Sequence, residues 1–213
     1  MLQNWIPKAV LKRLPIYLSY LKNMDNQENE YISATILAEA LNMGEVQVRK
    51  DLATVSSNGR PKVGYLVQDL IEDLELYLGC KEKNKVVLVG VGHLGRALLA
   101  YDGFKESGFE IIAGFDSSEE IINQEVFGKK VLPISEFTKV CQAQKIRIGI
   151  ITVPKDSAQA VCDLMVKANI EAIWNFAPIR LQVPNNIIVQ NENLSSSLIM
   201  LAKYLNDKLK LEK

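Results

Sequence analysis

Three glycines after a short apolar run, Gly90, Gly92 and Gly95, could form a loop that binds a phosphate-bearing ligand. The preceding KVVLV predicts a strand and the following HLGRALLAY has helical spacing, which is the context in which G-x-G-x-x-G binds a dinucleotide. The glycines permit a tight turn, close approach to a pyrophosphate, and helix–strand packing. The helix amino terminus adds N–H donors and partial positive charge. The predicted contacts are Gly90, Val91, Gly92, His93, Leu94 and Gly95.

A carboxylate stands at the expected distance from this loop. The segment FEIIAGFDSS predicts a second strand that ends in Asp116, 21 residues after Gly95. An acidic residue about 20 positions on typically binds the ribose hydroxyls of NAD. It would repel a 2′-phosphate, so we expect NAD(H) to be preferred over NADP(H). The alternative is a strand-end aspartate that only caps the next helix.

Two later segments also predict strands that end in loops, IRIGIITVP and EAIWNFAPI. In open α/β sheets the ligand lies at the carboxyl ends of the strands. We therefore expect the two loops to lie near the ribose and nicotinamide. The predicted contacts are Thr152, Val153, Pro154, Asn175, Ala177 and Pro178.

The chain offers little machinery for catalysis or metal binding. His93 is its only histidine and lies within the glycine loop, away from any reacting carbon. The three cysteines, Cys80, Cys141 and Cys162, form no C-x-x-C pair, so neither a zinc site nor disulfide exchange is predicted. They are typical of small packed hydrophobes in a reduced, cytoplasmic protein. We predict no catalytic residue and no metal.

These candidates must be positioned by a chain of 213 residues, 48% of them hydrophobic, with 25 basic and 25 acidic side chains. Such a composition supports a packed core but gives no overall charge that favours an anionic partner. No apolar run approaches the roughly 20 residues of a membrane span, and no secretion signal is evident. The charged segment CKEKNKV separates helical from alternating strand–helix patterns. The predicted domains are 1–80, a winged helix; 85–193, a Rossmann α/β domain; and 194–213, a dimerisation helix.

Within the first part, SATILAEALNMGEVQVRKDLATV predicts two helices, with Ser33 capping the first and Asn42–Gly44 turning the chain. Two short helices joined this way are typical of a helix-turn-helix, whose second helix reads the major groove. Gln47 could pair bidentately with adenine, and Arg49 and Lys50 could reach guanine or phosphate. Similar helix pairs also occur in proteins that never bind DNA, so this alternative stays open.

The flanking segments predict a wing and two further helices. In SSNGRPKVGYLV, Asn58-Gly59 predicts a turn within a short strand pair that carries Arg60 and Lys62 near its tip. The first helix, from Pro7, contains Pro15, which predicts a kink or break.

The terminal helix has an apolar stripe that either packs on its own sheet or joins two subunits. The stripe consists of Leu198, Leu201, Ala202, Leu205 and Leu209.

The whole ordered set of motifs resembles the Rex family of redox-sensing transcriptional repressors. The resemblance rests on IPKAVLKRLPIYL, VQVRKDL, KVGY in the wing, VGVGHLGRALLAY, GFD, TVP and NFAP. It implies a homodimer with exchanged terminal helices that binds A·T-rich inverted repeats when NADH is scarce and releases them when NADH binds. NADH and NAD+ are then regulatory ligands, and no hydride is transferred. Tyr65, within KVGY, belongs to the DNA-binding set.

The resemblance also implies an interdomain switch formed by Arg13, Tyr101 and position 193, with Tyr101 close to the cofactor. This sequence departs from the family there, since Asn193 stands where members often have aspartate and Leu194 where some have phenylalanine. A neutral hydrogen bond replaces a charge-assisted one, which is about twice as strong. The wing departs too, because Arg60 and Lys62 flank Pro61 where a single basic residue is common.

Two other functions remain open on the residues alone. One is a small NAD-dependent dehydrogenase or reductase with an appended helical domain. The other is a sensor of a different nucleotide, such as coenzyme A, on the same sheet; Asp116 argues against it.

Overall fold

The computed structural model describes residues 7–24 and 30–211. The chain divides into two compact units, Met1–Glu82 and Lys83–Lys213. This division falls within the charged segment that follows Cys80. The assignment of separate functions to 1–80, 85–193 and 194–213 stays a prediction.

Over residues 7–24 and 30–82, the first unit forms four helices and a short two-stranded sheet. These elements are α1 (Lys8–Lys22), β1 (Tyr31–Ile32), α2 (Ala34–Ala40), α3 (Glu45–Val55), β2 (Tyr65–Leu66) and α4 (Val67–Leu78). Ser33 caps α2 by accepting a hydrogen bond from the Ile36 N–H at 3.2 Å, as predicted. Asn42, with φ at 51°, turns the chain between α2 and α3. Pro15 does not break α1, because the helix continues on both sides of it.

The wing differs from the sequence prediction. Asn58-Gly59 is not its turn: the chain reverses over Pro61–Val63, where Arg60 and Gly64 exchange backbone hydrogen bonds of 2.8 and 2.9 Å. Gly64 has φ at +102°, and a Cβ there would lie 2.2 Å from the Ile32 carbonyl oxygen. The strand after it, β2, pairs antiparallel with β1, a distant partner that the local pattern could not indicate.

The second unit is built around a seven-stranded sheet. Its strands are β3 (Asn84–Val89), β4 (Phe109–Asp116), β5 (Glu125–Val126), β6 (Lys129–Pro133), β7 (Ile148–Ile151), β8 (Ala172–Asn175) and β9 (Ile188–Asn191). Its helices are α5 (His93–Ala100), α6 (Gly103–Glu106), α7 (Phe137–Gln144), α8 (Lys155–Lys167) and α9 (Leu194–Leu211).

The spatial order of the strands is β5-β6-β4-β3-β7-β8-β9. All neighbours are parallel except β5, which pairs antiparallel with β6 at one edge. Numbered along the chain, the six parallel strands follow the order 3-2-1-4-5-6 of a doubly wound Rossmann sheet, whose ligand crevice lies where the order reverses. Here that reversal is between β3 and β7.

Both faces of the central strand β3 are buried. Val87 and Val89 of β3 face one apolar layer, while Val86 and Leu88 face the other, as expected for a parallel sheet covered by helices. Cys141 and Cys162 lie in the first layer, where burial raises the pKa of each thiol to about 11. They therefore pack as small hydrophobes and stay protonated near neutral pH.

Helix α9 is exposed along its length. Leu198, Leu201 and Leu205 are 69%, 63% and 54% exposed, so the stripe does not pack on its own sheet. In the part of the chain that the structure describes, no helix has both the length and the apolar character to cross a membrane. Over the same residues, no cluster of three or more His, Cys, Asp or Glu side chains could hold a metal ion.

Candidate nucleotide-binding and DNA-binding sites

A cleft of about 790 Å³ lies at the carboxyl ends of β3 and β7, where the strand order reverses. This volume is within the range of small-molecule and cofactor sites. The cleft brings together six predicted residues from three separate segments: Gly90, Gly92, Asp116, Thr152, Val153 and Pro154.

Each glycine of the loop has a distinct structural reason. Gly90 has φ at +100°, and a Cβ there would lie 2.8 Å from the Thr152 carbonyl carbon. At Gly95 a Cβ would lie 2.0 Å from the Gly90 carbonyl oxygen, so only glycine lets α5 pack this closely on the end of β3. At Gly92, the residue before α5, a Cβ would meet no atom within 4 Å. The open space at Gly92 adjoins the helix amino terminus, where an anion is favoured.

Asp116 is anchored by backbone donors. Its Oδ2 accepts from the Val91 N–H at 2.7 Å, and its Oδ1 accepts from the N–H groups of Ser117 and Ser118 at 2.7 and 2.9 Å. A carboxylate has about four acceptor positions. Three are used, so one remains for a hydroxyl group in the cleft. Asp116 thus ties the end of β4 to the glycine loop.

The β7 end of the cleft is fixed by Thr152. Its Oγ1 lies 2.7 Å from the Gly90 carbonyl oxygen and donates a hydrogen bond to it. Its backbone N–H donates to the Val89 carbonyl oxygen at 2.9 Å. The two strand ends that flank the strand-order reversal are therefore held together by both backbone and side chain.

One face of α8 forms a wall of the cleft that sequence reasoning missed. Its residues Ser157, Ala160, Val161 and Leu164 follow the helical i, i+3, i+4, i+7 spacing. This helical spacing directly after a strand end is the sequence signal that could have identified the wall. The other lining residues not predicted are Val89, Ser117, Ile134 and Asp156.

The loop after β8 is not part of this cleft. Asn175 is fully buried, and its Nδ2 lies 2.9, 3.0 and 3.2 Å from oxygens of Asn191, Ile179 and Ala177. Its Oδ1 accepts from the Ala177 N–H at 3.0 Å. The side chain therefore holds the loop together, with Ala177 buried and Pro178 exposed. A ligand contact by these residues stays a prediction.

The remaining predicted contacts surround α5. Val91 is buried and offers its N–H to Asp116, while His93 is exposed and Leu94 half-buried at the start of the helix. Tyr101 follows the opposite end of α5, 59% exposed, with its ring 4.9 Å from that of Phe104. The structure thus places Tyr101 outside the cleft.

The proposed switch residues have local partners. Asn193 Oδ1 accepts from the Ser195 N–H at 3.1 Å, before α9. Arg13, in the first unit, binds Asp51 through Nε and Nη2 at 2.7 and 2.9 Å. A coupling among Arg13, Tyr101 and Asn193 stays a prediction.

Asp51 joins α3 to α1. It is 3% exposed and accepts a third hydrogen bond from the Tyr17 hydroxyl at 2.8 Å. Burial, followed by the hydrogen bond to Asp51, raises the pKa of Tyr17 to about 12. The same carboxylate raises the pKa of Arg13. Because these partners lie on α1, they fix the second helix of the helix-turn-helix against the first helix of the unit.

The predicted DNA-reading residues lie on the exposed side of α3. Arg49 forms an i,i+4 ion pair with Glu45, and Lys50 is exposed beside it. Gln47 is also exposed, next to Arg13. An exposed ion pair of this kind contributes little stability, about 0.3–0.5 kcal/mol, so Arg49 remains available to a phosphate or base.

In the wing, Arg60 lies over the Tyr31 ring, 5.3 Å from its centroid, and Lys62 is exposed within the turn. Tyr65 packs beneath Gly59, where a Cβ would lie 2.8 Å from the Tyr65 Cζ atom. Burial raises the pKa of Tyr65. Tyr65 therefore supports the wing, while Arg60 and Lys62 are presented at its surface.

Comparisons with known proteins bear on both units. A family model for a putative DNA-binding protein N-terminus matches residues 5–53, and one for a CoA binding domain matches residues 81–179. The redox-sensing transcriptional repressor Rex of Treponema denticola is 42% identical over 209 residues, 98% of this chain and 100% of that protein. Rex of Desulforamulus reducens is 41% identical over 196 residues, 92% of this chain and 93% of that protein.

The chain belongs to the Rex family. Two solved structures of RSP, a Rex-family repressor, agree with this assignment. RSP with β-NAD+ and operator DNA has a TM-score of 0.89 and 33% identity, covering 99% of this chain and 97% of that one. RSP with β-NADH has a TM-score of 0.87 and 32% identity, covering 99% of both chains.

Family membership confirms the predicted combination of an amino-terminal DNA-binding domain with a Rossmann domain. Rex proteins are transcription regulators, so the dehydrogenase alternative is not favoured.

Proposed function

We propose that this chain is a homodimeric repressor that binds an A·T-rich inverted-repeat operator when NADH is scarce and releases it when NADH binds. The observation that carries the proposal is the cleft at Gly90, Gly92 and Asp116 in a chain that also exposes Arg49 and Lys50 on a helix-turn-helix. Such a repressor works in the compartment that holds the DNA, so the proposal includes a cytoplasmic location.

The fit of the cleft to NAD(H) rests on its geometry. The space at Gly92 allows the backbone to approach a pyrophosphate, which would bind the N–H groups at the start of α5. The remaining acceptor position of Asp116 suits a ribose hydroxyl. A negatively charged group on that ribose would be repelled, which disfavours NADP(H) and also coenzyme A, whose adenosine ribose carries a phosphate.

A second copy of the chain is the proposed partner of α9. The exposed stripe of Leu198, Leu201 and Leu205 would be shielded from water in a homodimer. Pairing also doubles the number of phosphates that the protein can bind and matches an inverted repeat. Leu201→Glu should give a monomer by sedimentation that binds operator weakly. Lys210→Glu, near the end of the same helix, is the control and should remain dimeric.

In this proposal, NADH and DNA change each other's binding affinity because they favour different arrangements of the protein. NADH must bind the DNA-incompetent arrangement more tightly than the DNA-bound one, and DNA must then weaken NADH binding by the same factor. NAD+ binds the two arrangements with similar affinity, so the ratio of NADH to NAD+ sets the fraction of operator that the repressor occupies.

The decisive experiment measures fluorescence anisotropy of a labelled A·T-rich inverted-repeat duplex bound to the full chain. We expect release on addition of NADH and no release on addition of NAD+ or coenzyme A. Binding that coenzyme A reverses, or binding that ignores NADH, would contradict the proposed ligand. Turnover of NADH with a carbonyl substrate would support a dehydrogenase instead.

A double variant tests the DNA-binding surface separately. Arg49→Ala with Lys50→Ala should abolish operator binding, because both cations lie exposed on α3, while NADH affinity stays unchanged. The salt dependence of any residual binding should fall by about 0.9 for each phosphate that the variant no longer neutralises. Operator binding at the original affinity would show that α3 does not enter the groove.

A further inference from the structure

A second pocket, of about 410 Å³, lies at the amino ends of β3, β7 and β8, at the edge of the sheet opposite the nucleotide-binding cleft. Four cations line this basic pocket: Lys83, Lys85, Lys145 and Arg147. Among the residues that the structure describes, Glu171 is the only carboxylate in the lining. The surplus of three positive charges is local, because the chain as a whole has 25 basic and 25 acidic side chains.

The register of the sheet sets two of these cations side by side. Val86 of β3 pairs with Ile148 of β7, so the residues just before them, Lys85 and Arg147, are neighbours at the entrance to the two strands. Adjacent strands lie about 4.8 Å apart, and like charges placed opposite each other on neighbouring strands are destabilising. A bound anion would offset this repulsion.

The protein itself offsets only part of the charge. Glu171, directly before β8, forms an ion pair with Arg147. Lys85 Nζ donates instead to Gln144 Oε1 at 3.1 Å, and this acceptor is uncharged. The other two lysines of the pocket are exposed, and within residues 7–24 and 30–211 neither takes part in an ion pair.

The volume, charge and apolar walls of the basic pocket define a class of ligand. Its volume lies within the range of small-molecule sites. A concave site with cations of one sign and apolar walls concentrates anions, and Ile148, Ala172 and the 70% exposed Ile188 supply such walls. A phosphate monoester carries a charge of about −1.5 to −2 at neutral pH, so two phosphate groups match the surplus of cations.

We propose that the basic pocket binds a small molecule that carries two phosphate groups, as a second ligand at the edge of the sheet opposite the nucleotide. Side chains hold this ligand, because the backbone N–H groups of Glu171 and Ala172 already donate to the Arg147 carbonyl oxygen. The proposal goes beyond the repressor function and depends neither on the nucleotide in the cleft nor on DNA.

The test is isothermal titration of the full chain with inorganic pyrophosphate, with NADH in excess to fill the cleft and again without NADH. We expect the wild type to bind pyrophosphate in both titrations. Lys85→Gln with Lys145→Gln should bind it about tenfold more weakly, because two exposed cationic contacts are lost. Lys130→Gln is the matched control and should bind like the wild type, because this exposed lysine lies on β6, which β4 separates from β3.

DNA offers the same phosphate chemistry, and the double variant distinguishes the two sources. A small-molecule site predicts that the variant binds operator with the salt dependence of the wild type. A DNA contact predicts a salt slope that is smaller by about 0.9 for each phosphate no longer neutralised.

Four results would overturn the proposal. Two are a failure of the NADH-saturated wild type to bind pyrophosphate and an unchanged affinity in the double variant. The third is an equal loss in Lys130→Gln, which would indicate general surface charge. The fourth is a reduced salt slope for operator binding. The titration without NADH compares the same variants, so the proposed function and this proposal can fail separately.

Discussion

Asp51 in the helix-turn-helix and Asp116 at the glycine loop each accept three hydrogen bonds, yet the donors differ in kind. Asp51 is 3% exposed and is held by side chains, Arg13 and Tyr17, that lie 38 and 34 residues away. Asp116 is held by backbone N–H groups, two of them from its immediate neighbours Ser117 and Ser118.

The difference separates a packing role from a ligand role. The carboxylate of Asp51 is enclosed by its partners, and removing it leaves a guanidinium and a hydroxyl without their acceptor. Asp116 keeps an acceptor position at the cleft, and its removal exposes backbone groups that water can reach. Substitution of Asp51 should therefore act first on stability, and substitution of Asp116 first on ligand affinity.

The largest effect is expected from Asp51→Ala. Breaking a buried ion pair from one side costs about 3–5 kcal/mol, so urea titration followed by circular dichroism should show a markedly lower unfolding midpoint. Glu45→Ala, on the same helix, removes only an exposed partner of Arg49 and should change stability by less than about 0.5 kcal/mol. Equal losses in the two variants would contradict the packing role of Asp51.

A smaller loss of stability is expected at the glycine loop, and only at one of two glycines. In Gly95→Ala the added Cβ would collide with the Gly90 carbonyl oxygen at 2.0 Å. Separating α5 from β3 should cost about 1–3 kcal/mol and lower the melting temperature. Gly92→Ala should melt like the wild type, because its Cβ meets nothing within 4 Å.

The two glycine variants, Gly95→Ala and Gly92→Ala, also distinguish an effect on packing from an effect on ligand binding. A methyl group at position 92 would occupy space assigned to the pyrophosphate, so Gly92→Ala should bind NADH about tenfold more weakly by fluorescence titration. Wild-type NADH affinity in Gly92→Ala would place the pyrophosphate elsewhere.

Asp116→Ala should weaken NADH binding while sparing DNA binding in the absence of NADH. Loss of a hydrogen bond to a charged group costs about 1.5–3 kcal/mol, and removal of the negative charge should narrow the preference for NADH over NADPH. Isothermal titration with each cofactor measures both effects. An unchanged NADH affinity would remove Asp116 from the ribose site.

The smallest effect concerns alkaline pH. The pKa of Tyr17 is raised from 10.0 to about 12, so its protonated form stabilises the first unit fully below pH 10, and this contribution is lost as the pH rises to about 12. For Cys141 and Cys162 the pKa rises from 9.0 to about 11. The stability that their protonated thiols give the second unit is therefore complete below pH 9 and is lost as the pH rises to about 11. Tyr17→Phe should cost about 1 kcal/mol near neutral pH and flatten the decline between pH 10 and 12. If the stability of Tyr17→Phe declined as steeply as that of the wild type over this pH range, the decline would come from other groups.

Parts of the molecule that depend on short segments follow from the sequence. The Ser33 cap, the turn at Asn42 and the glycine loop each need only neighbouring residues, so their residue types indicate them directly. The spacing between the loop and Asp116 also indicated that the two meet at the cleft, because only α5, the short α6 and the strand β4 lie between them.

Features that depend on distant partners did not follow. The sequence pattern predicts a turn at Asn58-Gly59, but the chain reverses around Pro61. The reason is that β2 pairs with β1, which brings the chain close to the Ile32 carbonyl oxygen. Asn175 ends a strand as expected, but buried acceptors from β9 and the following loop draw its amide inward and away from the cleft.

The sequence by itself determined which residues could form a phosphate-binding loop and a DNA-reading helix, because glycine conformations and helical periodicity are local properties. Only the tertiary structure decided how those residues are presented. The partners of Asp51 and the wall that α8 adds to the cleft both depend on segments far apart in the chain. Hydrogen-bond donors and acceptors in such segments meet only when the fold places them within bonding distance.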